Sequence, residues 1–142
     1  MAISAYLDAN FIIRFVESVD DNLASVADRA DAGIVNLITS ELALAEVLVG
    51  PMRDGDARLV REYESLFADT AFLQVLPVDR QTLRRSADLR ATLGNKLPDA
   101  IHVATAVGAE CQVFLSSDRR IRLPEALTRI ALEDAGDMDK WP

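Results

Sequence analysis

The apolar positions of this 142-residue chain form short runs separated by longer stretches in which apolar and polar residues recur at helical spacing. Short aliphatic or β-branched runs between polar residues are typical of buried strands, and amphipathic stretches are typical of covering helices. The alternation therefore predicts an α/β fold, a three-layer α/β/α sandwich with a mainly parallel sheet of about five strands. The predicted strands are residues 3–8, 34–38, 72–76, 113–115 and 128–132.

The boundaries of the predicted helices rest on capping residues and helix breakers. The third helix is expected to begin at the Ser40 hydroxyl and to end at Gly50-Pro51, and Pro98 suits a first helical turn. The predicted helices cover residues 10–16, 20–32, 41–49, 54–69, 79–92 and 99–109. No repeat or linker interrupts this pattern, so we expect one domain over residues 1–132 and an acidic, mobile tail over residues 133–142.

The composition excludes several classes of protein. Half of the residues are hydrophobic, which is too many for an intrinsically disordered chain. The single Cys cannot form an internal disulfide or a multi-cysteine metal site, so a reducing, cytoplasmic location is expected. No apolar run reaches about 18 residues and no basic leader opens the chain, so neither a membrane span nor secretion is expected.

The charge is unevenly distributed along the chain. The net charge of −8 argues against a nucleic-acid partner, because binding to phosphates usually needs a basic surface. Residues 1–79, however, carry 5 basic and 14 acidic side chains, whereas residues 80–129 carry 9 basic and 5 acidic ones. This basic segment is either an ordinary solvated face or a local site for phosphates.

Four acids stand out: Asp8 ends the first predicted strand, Asp118 follows the fourth, Glu46 lies on the helix after the second, and Asp99 lies in the first turn of the helix at 99–109. Ligands of an open parallel sheet bind outside the carboxyl ends of its strands, so the fold can bring these dispersed acids together. Converging carboxylates repel one another unless a cation lies between them, and oxygen ligands suit Mg²⁺ or Mn²⁺. The acids therefore predict a metal pocket suited to phosphoryl chemistry.

Each acid also has an ordinary structural interpretation. Asp99 could simply favour the start of its helix through the helix dipole, and Asp118 could be a turn residue. Asp8 and Glu46 are harder to explain in this way, because each stands among apolar residues where a lone charge is costly.

Further polar residues accompany the four acids. His102 lies three residues after Asp99, on the same helical face, and is either a supporting group or a satisfied half-buried histidine. The basic side chains nearest Asp118 either hold flanking phosphates or are exposed charges: Arg119, Arg120 and Arg122. The remaining candidates for supporting roles are Asn10, Ser40 and Ser116, and for Ser40 the helix cap is the preferred interpretation.

At these residues the sequence resembles the PIN-domain family, in particular the small VapC-like toxins of prokaryotic toxin–antitoxin pairs. Four segments carry the resemblance, and together they span nearly the whole chain in the expected order. They are Tyr-Leu-Asp-Ala-Asn at 6–10, Thr-Ser-Glu-Leu-Ala-Leu-Ala-Glu-Val at 39–47, Leu-Pro-Asp-Ala-Ile-His-Val-Ala-Thr-Ala at 97–106 and Phe-Leu-Ser-Ser-Asp-Arg-Arg at 114–120. Ser116 stands where many members have Thr, and both residues supply a hydroxyl.

The resemblance implies a Mg²⁺- or Mn²⁺-dependent ribonuclease with a doubly wound parallel sheet. It assigns Asp8, Glu46, Asp99 and Asp118 to the metal pocket. Asp8 and Asp99 would be the principal ligands, Asp118 would complete the pocket, and Glu46 would orient or deprotonate water. It also implies a homodimer and an antitoxin whose basic segment covers the acidic pocket.

Two alternatives remain open at the level of sequence. A receiver-like phosphoryl-transfer domain also clusters acids above a parallel sheet, but it needs a Lys after a late strand, and Lys96 and Lys140 do not fit that place. A catalytically silent module that binds RNA or a partner would keep the same fold without cleaving.

Overall fold

The computed structural model describes residues 2–142 and has a five-stranded sheet in which all neighbouring strands are parallel. The order across the sheet is β3-β2-β1-β4-β5, so β1 is central. This arrangement confirms the predicted α/β sandwich. The strands are β1 (Ile3–Leu7), β2 (Val35–Ser40), β3 (Leu73–Leu76), β4 (Val113–Leu115) and β5 (Thr128–Ile130).

Six α-helices connect the strands, and all six were predicted to within a few residues. They are α1 (Ala9–Glu17), α2 (Asp21–Asp31), α3 (Glu41–Asp54), α4 (Ala57–Ala68), α5 (Arg80–Leu93) and α6 (Leu97–Gly108). Two short 3₁₀ helices follow at Leu132–Asp134 and Met138–Lys140. Within residues 2–142, none of the helices combines the length and the apolar character needed to cross a bilayer.

The sheet separates two hydrophobic cores because successive side chains of a strand point to opposite faces. Ala5 and Leu7 of β1 pack with helices α1 to α4 in the larger core. Tyr6, between them, packs with Val103 and Ala106 of α6 in the smaller core. The two cores on either side of one sheet make the three layers.

The strand order creates a switch point beside the central strand. From β1 the chain moves to β2 and β3 on one side, and it then crosses to β4 and β5 on the other. Because the connections diverge there, a crevice opens outside the carboxyl ends of β1 and β4. The residues that follow these two strands, Asp8 and Ser116, therefore lie where this fold binds ligands.

Two predictions for α3 are wrong: the side-chain cap at its start and the residue at which it ends. Ser40 occupies the N-cap position, but its side chain forms no capping hydrogen bond. The helix also continues through Gly50 and Pro51 to Asp54, and it ends at Gly55 with a left-handed φ of 67°. Pro51 cannot donate a helical hydrogen bond, but it is buried and the helix continues past it.

The C-terminal segment is anchored to the domain, although its charge predicted mobility. Trp141 is 7% exposed and packs into the larger core, and its indole N–H donates to the carbonyl of Ala135 at 3.1 Å. The Arg29 guanidinium donates to the carbonyls of Ala135 and Gly136. The buried Trp141 side chain thus holds this segment against the domain, although the segment carries four acids.

We expect Trp141→Ala to lower the free energy of unfolding by about 3 kcal/mol, because it removes a large buried side chain and leaves a cavity. Urea denaturation measures the change. Lys140→Ala is the matched control, because Lys140 is exposed and forms only a surface ion pair with Asp134. Equal stabilities of the two variants would contradict the anchoring role of Trp141.

Candidate active site

Asp8 is a buried acid at the carboxyl end of the central strand. Its side chain is at the N-cap of α1, where Oδ1 accepts the Phe11 backbone N–H at 2.9 Å. The residue is only 6% exposed, and burial raises the pKa of its carboxyl. Hydrogen bonds from Ser116 and Phe11 oppose this shift in pKa, whereas the charge of Asp118 adds to it. The fold therefore holds a carboxylate where ionisation is costly.

Ser116 connects Asp8 to Asp118 across the switch point. Its hydroxyl accepts the Asp118 backbone N–H at 3.1 Å and lies close enough to the Asp8 carboxyl to lower its pKa, against the larger effect of burial. Ser116 is completely buried, and its own N–H extends the pairing with β5 by donating to the carbonyl of Ile130. This serine thus fixes the loop after β4 against the end of β1.

Asp99 lies in the first turn of α6, and the helix brings it to the same edge of the sheet. The pKa of its half-buried carboxyl is raised first by burial and then by the charge of Asp118, with a smaller effect from Glu46. A carboxylate affects the pKa of another only over short distances. The structure thus brings Asp8, Glu46, Asp99 and Asp118 into one electrostatic group.

Glu46 reaches this group from the middle of α3 and is held by His102. The His102 Nε2 and the Glu46 Oε1 lie 2.5 Å apart. The other ring nitrogen, Nδ1, lies 2.5 Å from the Tyr6 hydroxyl, which in turn lies 3.1 Å from the Ser40 hydroxyl. Four side chains from two strands and two helices therefore form one continuous hydrogen-bonded chain.

This hydrogen-bonded chain explains why the Ser40 side chain does not cap α3. A completely buried hydroxyl needs a partner, and Tyr6 supplies it in place of the helix N-terminus. His102 is buried, as its ordinary structural interpretation required, yet one of its two partners is an acid of the site. The prediction of a cap at Ser40 is wrong, because the side chain turns toward the sheet.

The acids suit a hard divalent cation by chemistry, although they are not gathered at ligand distances. Among residues 2–142, no group of three or more His, Cys, Asp or Glu side chains is close enough together to hold a metal ion. Mg²⁺ usually keeps several waters and binds through one or two carboxylates, so it needs no such group. The mutual repulsion of Asp8, Asp99 and Asp118 would fall if a cation lay among them.

Asp118 already has a cationic partner in the chain. The Arg120 guanidinium donates to both of its oxygens, from Nε at 3.0 Å and from a terminal nitrogen at 3.1 Å. These hydrogen bonds hold the pKa of the Asp118 carboxyl below its ordinary value. The Arg120 side chain is 86% exposed, so the pair is a weak one that another cation can replace.

A basic cleft of about 210 Å³ opens beside Asp99. It is lined by residues 94–96 together with Asp99, Arg120 and Arg122. Of the three arginines predicted near Asp118, Arg120 and Arg122 line this cleft, whereas Arg119 is exposed and does not. Asn10 lines a second hollow, on the other side of Asp118.

Sequence reasoning missed three residues of this region: Tyr6, Asn95 and Lys96. Tyr6 is the one aromatic residue in an aliphatic strand, and a buried phenol needs a hydrogen-bond partner, so a signal was present. The Asn95 side chain bonds to both the N–H and the carbonyl of Arg122, at 2.8 and 2.7 Å, and so joins the loops that line the cleft. No pattern in the sequence predicted these hydrogen bonds.

The family model of the PIN domain matches residues 5–126, a span that includes all four acids. The chain belongs to the PIN domain family. The resemblance in the sequence is thereby confirmed, and the doubly wound parallel sheet is the expected PIN fold. A comparison with curated proteins gives no match.

Solved structures share this PIN fold at low sequence identity. VapBC2 from Rickettsia felis, bound to a DNA fragment from its promoter, is 14% identical, with a TM-score of 0.72 and coverage of 91% of this chain and 98% of that one. DNA-bound VapBC from Salmonella typhimurium is 16% identical, with a TM-score of 0.69 and coverage of 92% and 98%. VapC20 from Mycobacterium tuberculosis, a toxin that cleaves the sarcin-ricin loop, is 14% identical, with a TM-score of 0.65 and coverage of 82% and 92%.

We expect Asp8→Asn to be more stable than the parent PIN domain at pH 7 in the presence of a chelator. Because burial raises the pKa of Asp8, ionisation destabilises the fold as the pH rises above the ordinary value of 3.8. Asparagine keeps the oxygen that accepts the Phe11 N–H but carries no charge. The advantage of the variant should therefore vanish below about pH 3, as measured by urea denaturation over a pH series.

Asp79→Asn is the matched control, because Asp79 caps α5 in the same way but is exposed. Hydrogen bonds from Thr82 lower the pKa of Asp79, so its substitution should cost stability at pH 7 and little at low pH. Changes of the same sign in both variants would contradict a burial cost specific to Asp8.

Proposed function

We propose that this PIN domain is a Mg²⁺- or Mn²⁺-dependent endoribonuclease and the toxin of a toxin–antitoxin pair. The observation that carries the proposal is the group of four electrostatically coupled acids at the switch point, beside a basic cleft. Acids alone would repel RNA, and a basic cleft alone would only bind it. The two together suit hydrolysis of a phosphodiester. The VapBC and VapC20 structures, whose fold this chain shares, support the toxin role.

Each acid has a distinct part in this proposal. Asp8 and Asp99 would be the principal metal ligands, and Asp118 would complete the pocket directly or through water. A bound divalent cation would polarise a phosphoryl oxygen and lower the pKa of water. Glu46 is the group suited to orient a water molecule and to accept its proton, because its side chain is 37% exposed at the edge of the site.

The basic cleft is the proposed place for the RNA backbone. Lys96 and Arg122 lie on the Asp99 side of the site, so phosphates that flank the scissile bond would meet cations there. Arg120 can contribute as well, because its exposed guanidinium need only leave Asp118 to reach a phosphate. A bidentate guanidinium suits phosphate oxygens as well as carboxylate oxygens.

An antitoxin with a basic segment is the proposed protein partner. The pairing of Arg120 with Asp118 shows how a guanidinium satisfies an acid of this pocket, and an arginine or lysine of a partner could act in the same way. We also propose a cytoplasmic homodimer. Exposed apolar side chains on α3, Val49 and Met52, offer surface for such contacts.

The central prediction concerns RNA cleavage. The purified chain should cleave RNA with Mg²⁺ or Mn²⁺ and not with a chelator. Asp8→Asn and Asp99→Asn should each lower kcat/KM at least 100-fold, because metal-dependent charge stabilisation contributes several kcal/mol and each 1.36 kcal/mol is tenfold in rate. Asp69→Asn is the control, because Asp69 is exposed and lies before β3, at the opposite edge of the sheet.

The same variants separate the toxin proposal from its alternatives. Expression of the parent should arrest growth, and Asp8→Asn should not. Cleavage that persists in both acid variants would exclude the assigned site. Metal-independent RNA binding without cleavage would favour a catalytically silent module.

Lys96→Gln tests the cleft without touching an acid. It should raise KM for RNA severalfold, leave kcat unchanged, and reduce the slope of log affinity against log salt by about 1, because one phosphate contact is lost. Lys140→Gln, on the C-terminal segment, is the charge-matched control. An unchanged salt slope would show that RNA follows another path.

A further inference from the structure

We propose that His102 is a positioning residue: Tyr6 orients its imidazole, and the imidazole holds the Glu46 carboxylate at the edge of the acid group. This inference rests on the proposed function and deepens it. It assigns the hydrogen-bonded chain of Ser40, Tyr6, His102 and Glu46 to the catalytic geometry rather than to the core.

Aromatic rings pack closely at the buried end of this hydrogen-bonded chain. Tyr6 is completely buried and its ring stacks on Phe114, with centroids 5.4 Å apart and planes inclined by 11°. The imidazole of His102 is 3% exposed and lies against the same phenol at a tilt of 59°. Two packed rings therefore fix the direction in which Nε2 points.

The donors and acceptors along this hydrogen-bonded chain indicate where its protons lie. Burial raises the pKa of Tyr6, so its hydroxyl keeps its proton and can donate to Nδ1 of His102. When the imidazole is neutral, its proton is then on Nε2, which donates to Oε1 of Glu46. The Tyr6 hydroxyl also lies within hydrogen-bond distance of the Ser40 hydroxyl, 3.1 Å away.

Glu46 needs such a partner. It belongs to a long helix whose backbone does not constrain the end of a flexible side chain, and this side chain is partly exposed. The bond from Nε2 engages one carboxylate oxygen and leaves the carboxylate a second oxygen for water. A base held in one orientation avoids the loss of rate that follows when reacting groups are misplaced.

The position of His102 relative to the other acids agrees with this role. It lies one helical turn after Asp99, and it affects the pKa of both Asp8 and Asp99 by its charge when protonated. An apolar residue of similar size would fill the same space in the small core. The polar ring is therefore better explained by its partners than by its volume.

The kinetic test compares His102→Leu, which cannot donate, with His102→Gln, whose amide can. His102→Leu should lower kcat about 10- to 100-fold with little change in KM, and His102→Gln should restore part of the loss. Tyr6→Phe should give an intermediate loss, because the ring stays but loses its orienting hydroxyl. Thr105→Val is the control, because Thr105 is buried on the same helix and its hydroxyl bonds only to the helix backbone, at the carbonyl of Ile101.

A double-mutant cycle separates positioning from stability. If His102 acts through Glu46, adding His102→Leu to Glu46→Gln should cost no further activity. A merely structural role would make the two losses multiply. Multiplying losses, or a KM effect without a kcat effect, would overturn the proposal.

The spectroscopic test does not require the parent to cleave RNA. The chain has a single histidine, so ¹⁵N-histidine labelling gives one imidazole to follow by NMR in metal-free protein. At a pH where the ring is neutral, we expect its proton on Nε2, a loss of that preference in Tyr6→Phe, and a shifted Nε2 resonance in Glu46→Ala but not in Glu41→Ala. An imidazole indifferent to Glu46 would overturn the proposal, whereas an inactive parent with these spectral responses would overturn only the ribonuclease assignment.

Discussion

The chemistry of the site depends on a carboxylate that is buried where its ionisation is costly. Asp8 directly follows the central strand of a parallel sheet and is 6% exposed. The Phe11 N–H and the Ser116 hydroxyl stabilise its charged form, but burial still raises its pKa and the charge of Asp118 adds to the shift. Such a buried carboxylate is costly as a lone charge, and a cation beside it would offset that cost.

The other acids of the site differ in whether a charged partner offsets their burial. Asp118 is paired with Arg120 and has a lowered pKa, whereas Asp99 has no such pairing and its pKa is raised. The acids thus differ in how strongly they attract a new partner.

The fold could be predicted because it depends on local patterns. Short aliphatic runs predicted all five strands, and the acids after the first and fourth of them indicated the edge at which the sequence predicts a ligand site. The tail was misjudged because charge counts ignore what one buried indole contributes, as Trp141 shows. The capping role of Ser40 was misjudged because the tertiary structure supplies Tyr6 as its partner, and the end of α3 was misjudged because the helix continues through Pro51.

The linkage of the site residues was beyond sequence reasoning for a related reason. Asp99 and His102 share a helical face, and that much is visible in their spacing. The contact of His102 with Tyr6 joins residues 96 positions apart, and its contact with Glu46 joins residues 56 apart. Such contacts depend on the strand order, which places β2 beside β1 and α6 against both.

Net charge alone does not indicate which partners this protein binds, because its charges are unevenly distributed. The acids of residues 1–79 lie mostly on exposed helix surfaces, where solvent and salt screen them. At the site, by contrast, Lys96, Arg120 and Arg122 lie within one cleft beside Asp99. An RNA bound there would be attracted locally and repelled by the acidic surface of the rest of the molecule, so under the proposed function a substrate would be held during cleavage and then released. A cationic protein segment would instead be attracted by that acidic surface, which suits the proposed antitoxin better than it suits RNA.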